Sequence, residues 1–483
     1  MKLKPNIFLV FILVLILSFR LYLAFSTPYF DSDQAYFNVR VIEEVISTKT
    51  PFSFDQLSYG GREIISPQLF HYIIALFHFI PNFMKIIPEI FITSLAVIAY
   101  LIAKKITKDP LASMITAVLV SFSPALLSNT VNQVSVYALA IPIIYLMLYL
   151  LMELKNNYTI HIIVVLSFLL PMLHPISFFF AFSLLFFMIL LISESVKIEK
   201  LAKEVILFSF FLIALINFII FKKAFLSYGL GTIWQNIPPQ LLAEHFTSPS
   251  ILNSLYLIGI IPLILGSLGI FYGLFRQKDK NIILLTSPIL SIILLLLLKM
   301  IDLPTGLLFL SINLALISSI SISKVIHFIS ITKAHKLKDL FIAGGIFLII
   351  AIVVIPSFFS ISRPITPFEI NNLEYIKQNS PEDIAVLAPL SQGNTVAYFT
   401  ERKNVADSNF ILAKNPEQRL KDIKLAYTTI SESKALEIFH KYNVKYLFIS
   451  REAQKTYGVK RPIYLENENC FKQAKSTVYE IKC

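Results

Sequence analysis

Two aspartates separated by one residue, Asp31 and Asp33 in "YFDSDQAYFNVRVIEE", follow directly on a run of apolar residues. On an extended or turn segment this spacing lets carboxylate oxygens converge on one hard divalent cation, Mg or Mn, and leaves coordination positions for substrate phosphates. The same residues suit a plainer duty. Either Asp31 or Asp33 can cap the helix that "QAYFNVRVIEEVI" would form, because a carboxylate beside a helix N-terminus meets unpaired N–H groups and the positive end of the helix dipole. A third carboxylate, Glu244 in "LLAEHFTSPS", stands in the connection between residues 222 and 250, with Lys222, Lys223, Tyr228 and Trp234. A connection of that length is a candidate lid or binding loop, although most loops only connect. His174 in "LHPIS" can meet a phosphate or an acceptor, or simply end its helix before proline. Lys299 and Asp302 flank the turn "KMIDLP", where Lys299 can reach a phosphate or the two can pair with each other.

What positions these residues is a membrane scaffold. The chain has 483 residues, 56% of them hydrophobic and 15% charged, and a mean hydropathy of +0.72, which together read as a polytopic membrane protein. Its first apolar segment, 6–25, follows Lys2 and Lys4 and matches the roughly 20 residues a bilayer requires, so it reads as a retained anchor rather than a cleaved signal. The net charge of +12 lies mostly in short loops between apolar segments, where it orients helices and does not imply nucleic acid as a partner. Spans are expected at 6–25, 88–106, 111–128, 133–152, 158–173, 175–193, 203–221, 251–274, 281–299, 303–323 and 340–360, about eleven in all. Charges inside these spans are sparse.

The stretch "SPQLFHYIIALFHFIP" at 66–81 carries His71 and His78 at a spacing that would put both on one helical face. If it does not span, the basic loops around Lys104, Lys105 and Lys108, around Lys155, and at "KIEKLAK", "RQKDK" and "KAHKLK" all fall on the N-terminal side, as the positive-inside rule demands. It is therefore taken as a juxtamembrane helix. The N-terminus is then cytoplasmic, and the loop 26–87, His174, Asp302, the loop 222–250 and the tail face the exterior.

From residue 361 the composition changes. Thr366, Pro367 and Glu369 form a capping-box helix start. "DIAVLAP", "NVADS" and "KYLFIS" read as short strands alternating with helical patterns, and "CFKQAKSTVYEIKC" as a closing hairpin. Residues 1–360 are thus expected to form the membrane domain, and 361–483 a soluble extracytoplasmic α/β domain. Cys470 and Cys483 both lie in that tail, where a disulfide would require an oxidising exterior.

"FDSDQAYFNVRVIEEVISTKTPFSFDQLSYGGREIISPQLFHYIIALF" resembles the first outer loop of the GT-C membrane glycosyltransferases, and specifically of the archaeal oligosaccharyltransferase catalytic subunits. "LLAEHFTSPSI" is similar to their outer-loop Glu motif, and "YIKQNSPEDIAVLAPLSQGNTVAYFTERKNVADS" to the beginning of their exterior domain. The resemblance implies a GT-C-like all-α transmembrane bundle and transfer of a sugar from a polyprenyl-phosphate or -pyrophosphate donor to an acceptor on the outer face. It implies that Asp31 and Asp33 serve as metal ligands or as the base that activates the acceptor. It implies that Glu244 helps to hold metal and acceptor. Lys222, Lys223 or Lys299 would lie near phosphate. Where the oligosaccharyltransferases carry a WWDYG-type motif this chain has "APLSQG", and where they carry a second acidic motif it has "SNTVNQVS". The alternatives to a transferase are a catalytically silent paralogue acting as scaffold or partner subunit, and a transporter or flippase. The latter needs ionisable residues in its spans.

Overall fold

The computed structural model describes residues 5–154, 157–246, 250–277, 279–331 and 365–483, with isolated positions between 344 and 355. The chain forms two compact units, one of Met1–Thr27, Pro67–Ile220 and Pro249–Ser362, the other of Pro28–Ser66, Phe221–Ser248 and Arg363–Cys483. The sequence places its boundary at 360, whereas these units group residues 28–66 and 221–248 with the tail.

The first unit is helical. Ile7–Phe25, Phe83–Thr107, Lys200–Ile220, Lys280–Leu297 and Leu303–Ile331 are long and apolar enough to cross a membrane. Two further pairs are bent, Pro110–Ser121 with Pro124–Thr130 by 47° and Ile251–Ile258 with Ile260–Arg276 by 73°. The first bend has Pro124, which lacks an N–H for the preceding turn. The second pivots on Gly259 at φ 88°, a left-handed conformation that suits glycine. Counting each bent pair once, seven helices qualify among the described residues, against the eleven spans expected. Tyr137–Met152, Asn157–Leu173 and Ser177–Ser193 are apolar but shorter. The expected span 340–360 and the basic stretches at Lys155 and "KAHKLK" lie largely outside the described residues. The 66–81 stretch holds a helix only over the seven residues Leu69–Ala75, too short to cross. His71 is buried within that helix, while His78 lies beyond its end and is exposed, so the two do not share a helical face.

Helix packing in this unit depends on small residues. A Cβ added to Gly266 or Gly269 would sit 2.6 Å from the carbonyl oxygens of Leu314 and Ile317 respectively. The Ile260–Tyr272 and Leu303–Ile331 backbones therefore approach to a distance that excludes side chains, the close contact on which helix pairs in lipid rely.

The second unit is built around a five-stranded sheet in the order β4-β3-β5-β7-β6, where β3 is Ala385–Leu387, β4 Lys403–Asn404, β5 Val444–Phe448, β6 Phe471–Lys475 and β7 Val478–Ile481. A separate pair, β1 (Phe54–Asp55) and β2 (Arg62–Glu63), is antiparallel. β3 runs parallel to β4 and β5, and the β6–β7 hairpin adds antiparallel to β5. Successive side chains of a strand point to opposite faces. Accordingly Ala385, Leu387 and Leu447 join one buried cluster, and Val386, Tyr446 and Phe448 the other. Tyr59 and Ile237, from the two inserted segments, belong to the first cluster. The capping box at Thr366 and Glu369 is formed.

Cys470 and Cys483 are disulfide-bonded with Cα atoms 4.9 Å apart, closing the open end of the β6–β7 hairpin. Closing a loop of this size removes about 3 kcal/mol of unfolded-chain entropy. Cys470→Ser or Cys483→Ser is expected to lower the stability of this unit by about 2–4 kcal/mol, read as a fall in its melting temperature. A wild-type melt that is insensitive to reductant would contradict this.

Candidate functional site

The Asp33–Thr48 helix carries the first candidate carboxylates. Its cap is neither aspartate: Ser32 takes the N-cap position and its Oγ accepts the Ala35 N–H at 3.2 Å, correcting the expectation that Asp31 or Asp33 would do so. Asp33 is the first helical residue, and Asp31 lies just before the cap, buried at 6% exposure. The carboxylate of Asp33 is drawn onto the start of another helix, Gly393–Thr400. Oδ1 accepts the Thr395 N–H at 2.7 Å and its hydroxyl at 2.8 Å, and Oδ2 accepts Asn394 Nδ2 at 2.9 Å. Asp33 thus satisfies an N–H that the second helix cannot use internally. Burial raises the Asp33 carboxyl to about 6, against the opposing pull of these three donors.

A polar framework surrounds this contact. Arg40, two turns beyond Asp33 on the same face, grips Asp55 with both terminal nitrogens at 2.8 Å and reaches Asn394 Oδ1 at 3.4 Å. Asp55 Oδ1 also accepts the amides of Leu57 and Ser58, which shapes the turn into "SYGG". Ser58 donates to Asp407 at 2.6 Å, Tyr59 Oη donates to the Asp407 carbonyl at 2.7 Å, and Asn404 donates to both Asp407 and the Gly393 carbonyl. Arg62 completes the network at 3.5 Å from the fully buried Asp407. None of Arg40, Asn394, Thr395, Asp407 or Arg62 was a sequence candidate. The contacts that bring them together run from residues 33–62 to residues 394–407, and no local spacing announces these.

Glu244 is exposed and pairs with Lys424 at 3.1 Å. The anchored residue of its loop is its neighbour His245, fully buried and bonded through Nδ1 to Tyr457 Oη at 2.9 Å, with burial lowering its imidazole to about 4. Lys223 pairs with Glu63, and Lys222 is exposed. Asp31, Asp33 and Glu244 are therefore not gathered as three ligands, and among the described residues no three carboxylate, imidazole or thiol groups cluster as a metal would need. The donors around Asp33 are N–H and O–H groups aimed at its oxygens, which does not fit a cation on those lone pairs in this arrangement.

In the helical unit, His174 Nδ1 accepts the Ile176 N–H at 3.0 Å, closing the turn between two helices, and its ring lies 5.1 Å from that of Tyr137. Tyr137 Oη is in turn 3.3 Å from Thr305 Oγ1. Lys299 and Asp302 are both exposed, and no ion pair joins them among the described residues. Among the sparse charges of the expected spans are Arg20 and Glu89, each 1% exposed, whose Nε and Oε2 meet at 2.7 Å. An ionisable residue within an apolar run was the available signal.

This architecture, a helical unit with long apolar helices and a second unit on a mixed sheet, is similar in fold to solved membrane glycosyltransferases. The oligosaccharyltransferase of Archaeoglobus fulgidus in its apo form matches 95% of this chain over 72% of its own length, with a TM-score of 0.71 at 14% identity. The archaeal oligosaccharyltransferase AglB from Archaeoglobus fulgidus, in complex with an inhibitory peptide and a dolichol-phosphate, matches 91% of this chain over 69% of its own, with a TM-score of 0.68 at 13% identity. ArnT from Cupriavidus metallidurans bound to undecaprenyl phosphate matches 92% of this chain over 96% of its own, with a TM-score of 0.52 at 9% identity. No family model and no curated protein sequence matches the chain.

Proposed function

We propose that this protein is a multi-pass membrane glycosyltransferase that moves a sugar from a polyprenyl-phosphate or -pyrophosphate donor to an acceptor at the outer membrane face. The observation that carries the reading is the shared fold along nearly the whole chain, including solved structures that hold dolichol-phosphate or undecaprenyl phosphate. In this reading the N-terminus is cytoplasmic, about eleven segments cross the bilayer, and the sheet-containing unit lies outside. The Cys470–Cys483 bridge supports an oxidising exterior for that unit.

A sugar leaving a lipid phosphate develops positive character at its anomeric carbon while negative charge grows on the phosphate, which basic side chains can stabilise. Lys222, Lys223 and Lys299 are our candidates for that role, and His174 for contact with phosphate or acceptor. The acceptor must lose a proton, and a carboxyl near 6 is suited to receive it at neutral pH. Asp33 is therefore the favoured base, with Asp31 beside it. Glu244 would hold the acceptor after exchanging Lys424 for it, and would join a divalent cation, Mg or Mn, if one enters with the donor.

The test is transfer of a radiolabelled sugar from a polyprenyl-phosphate carrier by the purified protein in proteoliposomes, with and without chelator. Product formation is expected. A second reading, a silent GT-C paralogue serving as scaffold, is favoured by the way Asp33 and Glu244 are engaged within the chain. No transfer with a panel of lipid-linked sugars, together with no divalent-ion binding, would select it.

A further inference from the structure

Within the helical unit, the chain between the Pro124–Thr130 and Tyr137–Met152 helices makes a turn with two non-glycine residues in the left-handed region, Asn132 at φ 55° and Val134 at φ 46°. A β-branched residue such as Val134 is a steric outlier there, and backbone held against its preference needs surroundings that fix it. The surroundings are ionic. Glu89 divides its carboxylate: Oε2 accepts Arg20 Nε at 2.7 Å, while Oε1 accepts the Asn132 N–H at 2.8 Å. Arg20 Nη2 then donates to Thr130 Oγ1 at 2.8 Å, so the pair grips the turn at two points. Both charges are spent inside this clamp.

Stability alone does not require such a pair, since well-packed apolar residues in place of a buried ion pair are often neutral or better. What the pair supplies is a directed hydrogen bond to the Asn132 amide, two residues before the strained Val134. Near this turn are uncharged hydrogen-bonding groups that are half-buried, Gln133, Ser135 and Tyr137, with Tyr137 Oη by Thr305 and its ring by His174. Neutral amide and hydroxyl groups beside aromatic rings match the hydroxyls and apolar ring face of a sugar.

We infer that Arg20 and Glu89 are positioning residues that hold the 130–134 turn in shape so that Gln133 on it, with Ser135 and Tyr137 just after it, binds the sugar of the lipid-linked donor. This rests on the glycosyltransferase reading for its ligand, but the clamp is testable without it. Two variants separate positioning from structural support: Arg20→Leu/Glu89→Leu removes both charges and strands neither, and Arg20→Leu/Glu89→Gln also leaves no buried charge unpaired but keeps an acceptor for the Asn132 amide.

The expected result for the double leucine variant is a melting temperature close to wild type. Amide hydrogen exchange over residues 130–135 is expected to accelerate by about tenfold, the worth of one hydrogen bond. KM for a polyprenyl-phosphate-linked hexose is expected to rise by a similar factor, about tenfold, with kcat changed less. Arg20→Leu/Glu89→Gln, which keeps the acceptor for the Asn132 amide, is expected to restore slow exchange and a low KM. Should the double leucine variant fail to fold, Thr130→Val, which removes Arg20's hold on the turn alone, takes its place. Unchanged exchange over 130–135 overturns the clamp, and faster exchange with unchanged KM overturns its role in donor binding. If the wild-type protein transfers no lipid-linked sugar, the proposed function fails, and the exchange data alone decide the clamp.

Discussion

Asp33→Asn is expected to abolish most sugar transfer while leaving the sheet-containing unit as stable as wild type, whereas Asp33→Ala is expected to lose transfer and to destabilise that unit as well. The difference follows from what the carboxylate touches. An asparagine still offers one oxygen to the Thr395 amide and hydroxyl, and rotation of the Asn394 amide by half a turn restores a donor–acceptor pair, giving up only its 3.4 Å contact with Arg40. Alanine leaves the Thr395 N–H and the Asn394 amide without their charged acceptor, which costs about 1–3 kcal/mol. Both variants lack a proton acceptor at this position, and loss of a general base typically lowers the rate about 100-fold to 10,000-fold.

The pH dependence gives a second handle on the same residue. Burial raises the Asp33 carboxyl from 3.8 to about 6 in the folded chain, so the folded state holds this proton more tightly than the unfolded one. The stability it contributes is fully present below 3.8 and is lost as pH rises through about 6. Asp33→Asn should flatten the melting temperature across that window and remove the matching acidic limb from the transfer rate. Wild-type turnover in Asp33→Asn would exclude Asp33 as the base and leave it as the tether between two helices.

The residues that were legible in the sequence are those whose partners are close in the chain or whose environment is uniform. Thr366 and Glu369 are three residues apart and form their box as spacing requires. Long apolar runs become helices because a backbone in lipid must satisfy its own hydrogen bonds, whatever lies beside it. Bends were not legible to the same degree: Ser123–Pro124 and Gly259 interrupt runs that hydropathy alone reads as continuous. Asp33 stood out by type and spacing, but its engagement by Asn394 and Thr395 depends on how the tail folds back on residues 28–66. Glu244 stood out in its loop for the same reason, and its Lys424 is equally remote in sequence. Arg20 and Glu89 each stand in the sequence as a single charge in an apolar run, with no spacing that gives either a partner. Only the bundle shows that they neutralise each other across 69 residues.

Gly393→Ala should be the most damaging conservative change in the sheet-containing unit, although its backbone conformation gives no warning. Gly393 opens its helix at φ −62° and ψ −41°, where alanine is at ease and would favour the helix. The obstacle is outside the helix. A Cβ there would overlap the Ala406 carbonyl oxygen and stand 2.8 Å from the Asp407 Cα, both parts of the backbone with no rotamer to yield. That backbone cannot simply withdraw. Asn404 holds the Gly393 carbonyl at 3.0 Å and Asp407 at 3.1 Å, and Asp407 is pinned by Ser58, Tyr59 and Arg62. Overpacking of this kind costs about 1–3 kcal/mol. Relief by shifting the helix start would carry Asn394 and Thr395 away from Asp33, so transfer should fall together with the melting temperature. Gly458→Asn provides the contrast, because Gly458 has φ 68° with nothing within 4 Å, and asparagine tolerates that conformation. If Gly393→Ala melts with the wild type while Gly458→Asn does not, the close approach of residues 393 and 406–407 is not what holds the site.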